Sequence, residues 1–144
     1  MDEIDEEILK LLGEDARTPV ATLASKLSLA RSTVQTRLDR LERQKFIAGY
    51  TVRLGEAARA GRIRATALLQ IEPMTLPAVL SKLKRLPEVR SAHTASGRFD
   101  LVVSLSASTT DALDKALDAI GEVAGVRSSE SLIHLSTRID RRVR

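Results

Sequence analysis

Seven polar side chains fall within one short stretch: Arg31, Ser32, Gln35, Thr36, Arg37, Arg40 and Arg43. Between them run Val34, Leu38 and Leu41, at i, i+4 and i+7, which marks one apolar edge of a helix. With that edge turned inward, the polar set faces elsewhere. Gln matches adenine in a DNA major groove, Arg matches guanine, and Ser and Thr suit either. Arg31, Ser32, Gln35 and Thr36 lie near the helix start, where base edges are in reach. Arg37, Arg40 and Arg43 lie further along and suit phosphates. The plainer reading of the same residues is a solvated surface helix with ordinary charges.

The elements that must hold this helix are legible in the first fifty residues. Ile4, Ile8, Leu11 and Leu12 form one stripe of a first helix, whose early acids suit the helix dipole and for which Gly13 is a plausible stop. A second helix opens with Thr18 as N-cap and Pro19 at its first position, and buries Val20, Leu23, Ala24 and Leu27. The third, from about Arg31 to Gln44, carries the polar set. Helix, tight turn and basic helix form a helix-turn-helix arrangement, with Ala24 small where the two helices approach. Charge is segregated to match. Residues 1–15 carry seven acids against Lys10, and residues 31–64 carry nine bases against Asp39, Glu42 and Glu56. The tail "RIDRRVR" adds further positive charge. That asymmetry points to a localised polyanion-binding face.

The chain of 144 residues suffices for one medium domain or two small ones. Apolar residues make up 43% and aromatics only 2%, so the core must be aliphatic. There is no cysteine, hence no disulfide or thiolate chemistry. No apolar run approaches the ~18 residues of a membrane span, and "MDEIDEE" is the reverse of a basic signal-peptide start. A soluble cytoplasmic protein without membrane contact is the expectation.

After Phe46 the period changes. "IAGYTVRL" alternates as a short strand, and "GEAARAGR" reads as a linker. From Ile63 onward the order is strand, helix, strand, turn "SGRF", strand, helix, strand. The helices turn Leu76, Val79, Leu80 and Leu83, then Leu113, Leu117 and Ile120, inward. This β-α-β-β-α-β order is the ferredoxin-like pattern. Two helices on one face of a four-stranded antiparallel sheet leave the other face open, so a dimer is expected. The fold class is α+β. Residues 1–50 are expected to form the helix-turn-helix DNA-binding domain, 51–62 a strand and linker, and 63–144 the ferredoxin-like domain.

From Ile4 to about Leu135 the chain resembles the Lrp/AsnC ("feast/famine") transcription regulators. The matching segments are "IDEEILKLLGEDARTPVATLA", "STVQTRLDRLERQKFIAGYTVRL", "SGRFDLVVSL" and "GVRSSESLIHL". The resemblance implies a DNA-binding helix-turn-helix and a C-terminal domain that forms dimers and, in many members, octamers of four dimers. It also implies small effectors, usually amino acids, bound at interfaces between C-terminal domains, beside the Gly-x-x-Asp turn and the last strand. Here these are Gly97, Arg98, Phe99 and Asp100, with Ser129 and Ser131. The chemistry is compatible: a carboxylate suits an α-ammonium group, and hydroxyls can donate to a carboxylate. A plain hairpin turn is the simpler reading. The chain departs from the family at Ser28 and Lys45, where Gly is usual, at Ala30, where Ser caps the helix, and at Ser129 and Ser131, where Thr is frequent.

No enzyme, cofactor or metal is expected. His93 and His134 are the only histidines, and no patterned carboxylates accompany them. Asp111, Asp114 and Asp118 read as a solvated helix face, and no Walker loop, G-x-S-x-G or H-E-x-x-H is present. The leading function is a ligand-responsive, sequence-specific regulator of transcription on double-stranded DNA. The alternative is an amino-acid-binding regulatory subunit that docks on a protein partner.

Overall fold

The structure is a computed structural model that describes residues 1–140; Arg141, Arg142 and Arg144 of the basic tail lie outside the described residues. The chain forms two compact units. One holds Met1–Arg53, to which Ile139 and Asp140 also belong, and the other holds Leu54–Arg138.

The first unit is three helices: α1 (Glu3–Glu14), α2 (Val20–Leu27) and α3 (Arg31–Arg43). Asp2 and Asp5 close a reciprocal capping box at the start of α1, each carboxylate accepting from the other's backbone N–H at 3.0 and 3.1 Å. The helix passes through Gly13 and ends at Glu14, so Gly13 is not its stop; the Asp15 N–H closes the last turn on Leu11. α2 begins one residue later than expected. Pro19 is its N-cap, while the Thr18 hydroxyl donates to the Asp15 carbonyl at 2.7 Å and does not cap α2.

Ile8, Leu23, Ala24, Val34, Leu38 and Leu41 form the buried core, one apolar stripe from each helix. Each large aliphatic side chain so buried contributes about 1.5–3 kcal/mol. The departures at Ser28, Ala30 and Lys45 have visible geometry. Ser28 and Lys45 sit in left-handed conformations, at φ of 54° and 61°, and Ala30 caps α3 without a side-chain bond.

The expected hinge strand is absent from the chain. Residues 48–55 carry no strand, and the segment continues into the short helix α4 (Glu56–Arg59). A strand needs a neighbour for its ladder, and the chain places none beside this segment. Tyr50, Val52 and Leu54 remain exposed, although the Tyr50 hydroxyl donates to Glu42 at 2.8 Å.

The second unit is a ferredoxin-like sheet with two helices. Its elements are β1 (Ile63–Ile71), α5 (Leu76–Leu83), β2 (Val89–Thr94), β3 (Leu101–Ala107), α6 (Thr110–Gly121) and β4 (Val126–Ile133). The sheet order is β2-β3-β1-β4, antiparallel throughout. Alternation decides the faces. Ala65, Ala67 and Leu69 pack with Leu101, Val103 and Leu105 against Val79, Leu83, Leu113, Ala116 and Ile120. On the opposite face Thr66, Leu68, Gln70, Val102 and Ser104 are only half-buried.

Candidate functional site

α3 projects two kinds of polar residue. Arg31, Ser32, Gln35, Thr36 and Arg43 are exposed. Gln35 donates through Nε2 to Asp39 at 2.8 Å, so its amide is oriented along the helix. The Thr36 hydroxyl donates back to the Ser32 carbonyl at 2.9 Å. Arg31, Ser32, Gln35 and Thr36, near the helix start, are therefore all accessible, and short local bonds orient two of them, Gln35 and Thr36.

Arg37 and Arg40 are held by ion pairs. Arg37 Nη1 lies 2.7 Å from Asp2 Oδ2 and 2.9 Å from Asp5 Oδ1, and its side chain is only 20% exposed. Arg40 Nη2 lies 2.5 Å from Asp5 Oδ2. The two guanidiniums tie α3 to the start of α1, and Arg37 is the less exposed of the two. The first-turn acids act beyond the helix dipole, because two of them fold back onto α3. Hydrogen bonding to Arg37, then to the Asp5 backbone, lowers the Asp2 carboxyl to about 2. Burial pushes the Asp5 carboxyl up, but Arg37, the Asp2 backbone and Arg40 outweigh it and hold the group below its ordinary value. The same bonds to Asp2 and Asp5 raise Arg37.

In the second unit the turn between β2 and β3 is fastened to the end of β1. Asp100 Oδ2 accepts from the Ile71 N–H at 2.9 Å, and the Asp100 N–H donates to Leu69 at 2.8 Å. Gly97 supplies a φ of 124° that a side chain would strain. The Arg98 guanidinium lies 5.0 Å from the Phe99 ring centre and 3.3 Å from Glu130. Gln70, not singled out from the sequence, bridges the turn to β4 by donating to the Arg98 carbonyl and accepting from Ser128, both at 2.8 Å.

A cavity of about 420 Å³ opens beside the turn, lined by Asp100, Thr94, Ile71, Glu72, Pro73, Met74 and Leu76. Ser129 and Ser131 are not among its walls. They pair with Leu69 and Ala67 and share those residues' helix-covered face, whereas Arg98 meets Glu130 from the other face. One chain therefore brings Gly97, Arg98, Phe99 and Asp100 together but leaves the two serines apart from them. Among the described residues, no group of three or more His, Asp or Glu is placed to hold a metal, and no helix is long and apolar enough to cross a membrane.

Comparison with known proteins adds to this geometry. Residues 1–42 match the AsnC-type helix-turn-helix domain, and residues 64–144 match the Lrp/AsnC ligand binding domain. The HTH-type transcriptional regulator Rv2324 of Mycobacterium tuberculosis is 33% identical over 142 residues, covering 98% of this chain and 96% of the relative. The HTH-type transcriptional regulator FL11 of Pyrococcus furiosus is 28% identical over 135 residues, covering 94% and 89%. Among solved structures, Escherichia coli AsnC superposes with a TM-score of 0.89 at 24% identity, covering 99% of this chain and 97% of that one. The regulator NMB0573 of Neisseria meningitidis, solved as its L-Met complex, gives a TM-score of 0.87 at 22% identity, covering 97% and 93%.

Proposed function

Because this chain belongs to the Lrp/AsnC family of helix-turn-helix transcriptional regulators, we propose how its own residues carry out regulation. Arg31, Ser32, Gln35 and Thr36 read base edges in the major groove. Arg43, and Arg40 through its exposed edge, contact phosphates. Arg37 sets the pitch of α3 from within. The observation that carries this division is the pair of short bonds from Arg37 to Asp2 and Asp5, beside a helix start whose polar residues stay accessible.

The protein works as a cytoplasmic homodimer. The open sheet face, with Leu68 and Val102 half-buried and Leu132 51% exposed, is the surface a second copy covers. Two α3 helices then meet half-sites about one DNA turn, or a multiple of it, apart. Four dimers form an octamer, as in many members of the family.

An amino acid or related small molecule is the effector. It binds beside Gly97, Arg98, Phe99 and Asp100, with its ammonium group on the outward side of the Asp100 carboxylate. Ser129 and Ser131 complete the site from another C-terminal domain, since they do not line the cavity of their own chain. That one structural neighbour was solved with L-Met supports an effector of this class. No catalytic step is assigned to the chain.

The test is fluorescence anisotropy on the DNA upstream of the protein's own gene, against random DNA of equal length, with and without the twenty amino acids. Counterion release lowers log K by about 0.9 per phosphate contact for each unit of log[salt]. Tight, salt-sensitive, sequence-preferring binding that the amino acids alter supports the reading. Binding to a protein partner would show a far weaker salt dependence.

A further inference from the structure

An acid stands on the outward stripe of α3. Ser32, Thr36, Asp39 and Arg43 follow one another at i, i+4, i+7 and i+11, on the side away from Val34, Leu38 and Leu41, and all four are exposed. Glu42, the other acid of the helix, accepts from the Tyr50 hydroxyl. Asp39 has no cation within ion-pair distance among the described residues. Its partner is the Gln35 amide one turn back, whose Nε2 donates to Asp39 Oδ1 at 2.8 Å.

A carboxylate on a face that meets DNA weakens binding, because it carries the charge of the phosphates. Its contact with Gln35 supplies something in exchange. An ionised carboxylate accepts hydrogen bonds and never donates them, so only the NH₂ end of the Gln35 amide can face it. The carbonyl end is thereby turned away, and Nε2 keeps its second N–H. An acceptor and a donor side by side are what the N6 and N7 edge of adenine requires. An untethered glutamine presents either end and loses more rotamer freedom when it meets a base.

We infer that Asp39 is a positioning residue for base recognition: it holds Gln35 in the orientation that reads adenine, and acts on specificity through Gln35 alone. This rests on the reading, proposed above, that Gln35 meets a base edge. It separates the two effects of the carboxylate. The charge lowers affinity for every DNA, whereas the hydrogen bond raises the preference for one sequence over others.

The test starts from a duplex that the full-length wild type selects out of a random-sequence pool. Fluorescence anisotropy then gives the affinity for this duplex and for random DNA of equal length, and their ratio is the preference. The variants are Asp39→Ala, Asp39→Asn, Gln35→Ala and the double variant Gln35→Ala/Asp39→Ala, each checked for folding by circular dichroism. Asp39→Ala should bind random DNA more tightly yet lose about two- to tenfold in preference, the penalty for immobilising one long side chain on binding. Asp39→Asn removes the same charge but keeps an oxygen for Gln35, so it should gain on random DNA and retain more of the preference. The double variant should show the preference of Gln35→Ala. If the pool yields no preferred duplex, or Gln35→Ala keeps the preference, the reading of Gln35 falls and takes the inference with it. If Gln35→Ala loses the preference while Asp39→Ala keeps it, the reading stands and the inference alone is overturned. Equal preference in Asp39→Ala and Asp39→Asn overturns it too, by making Asp39 no more than a charge. So does a double variant that falls below Gln35→Ala, which would make Asp39 a base contact itself, accepting from cytosine N4.

Discussion

The guanidinium of Arg37 lies 2.9 Å from the carboxylate of Asp5, a side chain with no exposed surface. This pair joins the first turn of α1 to the middle of α3, and it separates the arginines of α3 into one that shapes the unit and others that face outward.

Removing Asp5 leaves Arg37 with the exposed Asp2 and Arg40 with no partner. Breaking a fully buried ion pair costs about 3–5 kcal/mol. Here both arginines keep some hydration, so Asp5→Ala is expected to destabilise the first unit by about 2–3 kcal/mol. Urea denaturation followed by circular dichroism measures this. A loss below about 0.5 kcal/mol, the range of an ordinary surface substitution, would deny the pair its structural role.

Acid should unfold the first unit in a defined window. Asp2 lies at about 2 in the folded chain against an ordinary 3.8, and Asp5 is lowered as well. A depressed carboxylate contributes stability that is fully present above the ordinary value. That stability is lost as pH falls through the folded value. The first unit should therefore weaken between about pH 4 and pH 2, and Asp2→Asn should flatten the dependence there. Acid titrations of the two proteins that superimpose would contradict the pairing.

The two arginines Arg37 and Arg43 should differ in how they affect salt dependence. Arg43→Ala is expected to lower the slope of log K against log[salt] by about 0.9 per chain, one phosphate contact. Arg37→Met is expected to leave the slope unchanged while lowering stability. A reduced slope in folded Arg37→Met would return that residue to the DNA surface.

The departures at Ala30 and Lys45 should be reversible. Ala30→Ser supplies the missing cap of α3, a gain of about 1 kcal/mol. Lys45→Gly relieves a φ of 61°; relief of about 1–2 kcal/mol is partly offset by the entropy of glycine, about 0.5–1 kcal/mol. Thermal unfolding should show both variants above the wild type, with Ala30→Ser gaining more. A fall in both would contradict the geometry of these turns.

Asp100 has two duties that substitutions can separate. Asp100→Asn keeps an oxygen for the Ile71 N–H but removes the charge proposed to meet an ammonium group. It should abolish an amino-acid-induced shift in DNA affinity and leave binding without effector intact. Asp100→Ala should do the same and also loosen the turn. A normal shift in Asp100→Asn would move the effector site elsewhere.

The fold was readable because its signals are local. The stripe of Ile4, Ile8, Leu11 and Leu12 and the alternation of Ala65, Ala67 and Leu69 need only neighbours in sequence to be seen. Ser28 and Lys45 betrayed their turns by standing where glycine is usual. The Asp2–Asp5–Arg37–Arg40 cluster joins residues more than thirty positions apart, and its only trace was an acidic first turn that the helix dipole already explained. Gln70 was hidden because it lies near the end of β1, where its bridging of Ser128 and Arg98 depends on sheet order. The segment from Ile47 to Leu54 alternates like a strand yet pairs with no strand of its own chain, because alternation shows a strand's pattern and not where its neighbour lies. Ser129 and Ser131 flank Glu130 and so take the opposite face of β4; that Glu130 is the one to meet Arg98 depends on sheet order and register, which the sequence does not display.

The central claim is that the start of α3 reads bases while positions further along hold the backbone. The most direct measurement compares Gln35→Ala and Arg43→Ala on the DNA upstream of the protein's own gene and on random DNA. Gln35→Ala should lose about 1–3 kcal/mol of discrimination and bind random DNA as the wild type does. Arg43→Ala should weaken both DNAs alike. If Gln35→Ala weakens both equally and leaves the preference unchanged, α3 does not read sequence through that residue and the account fails.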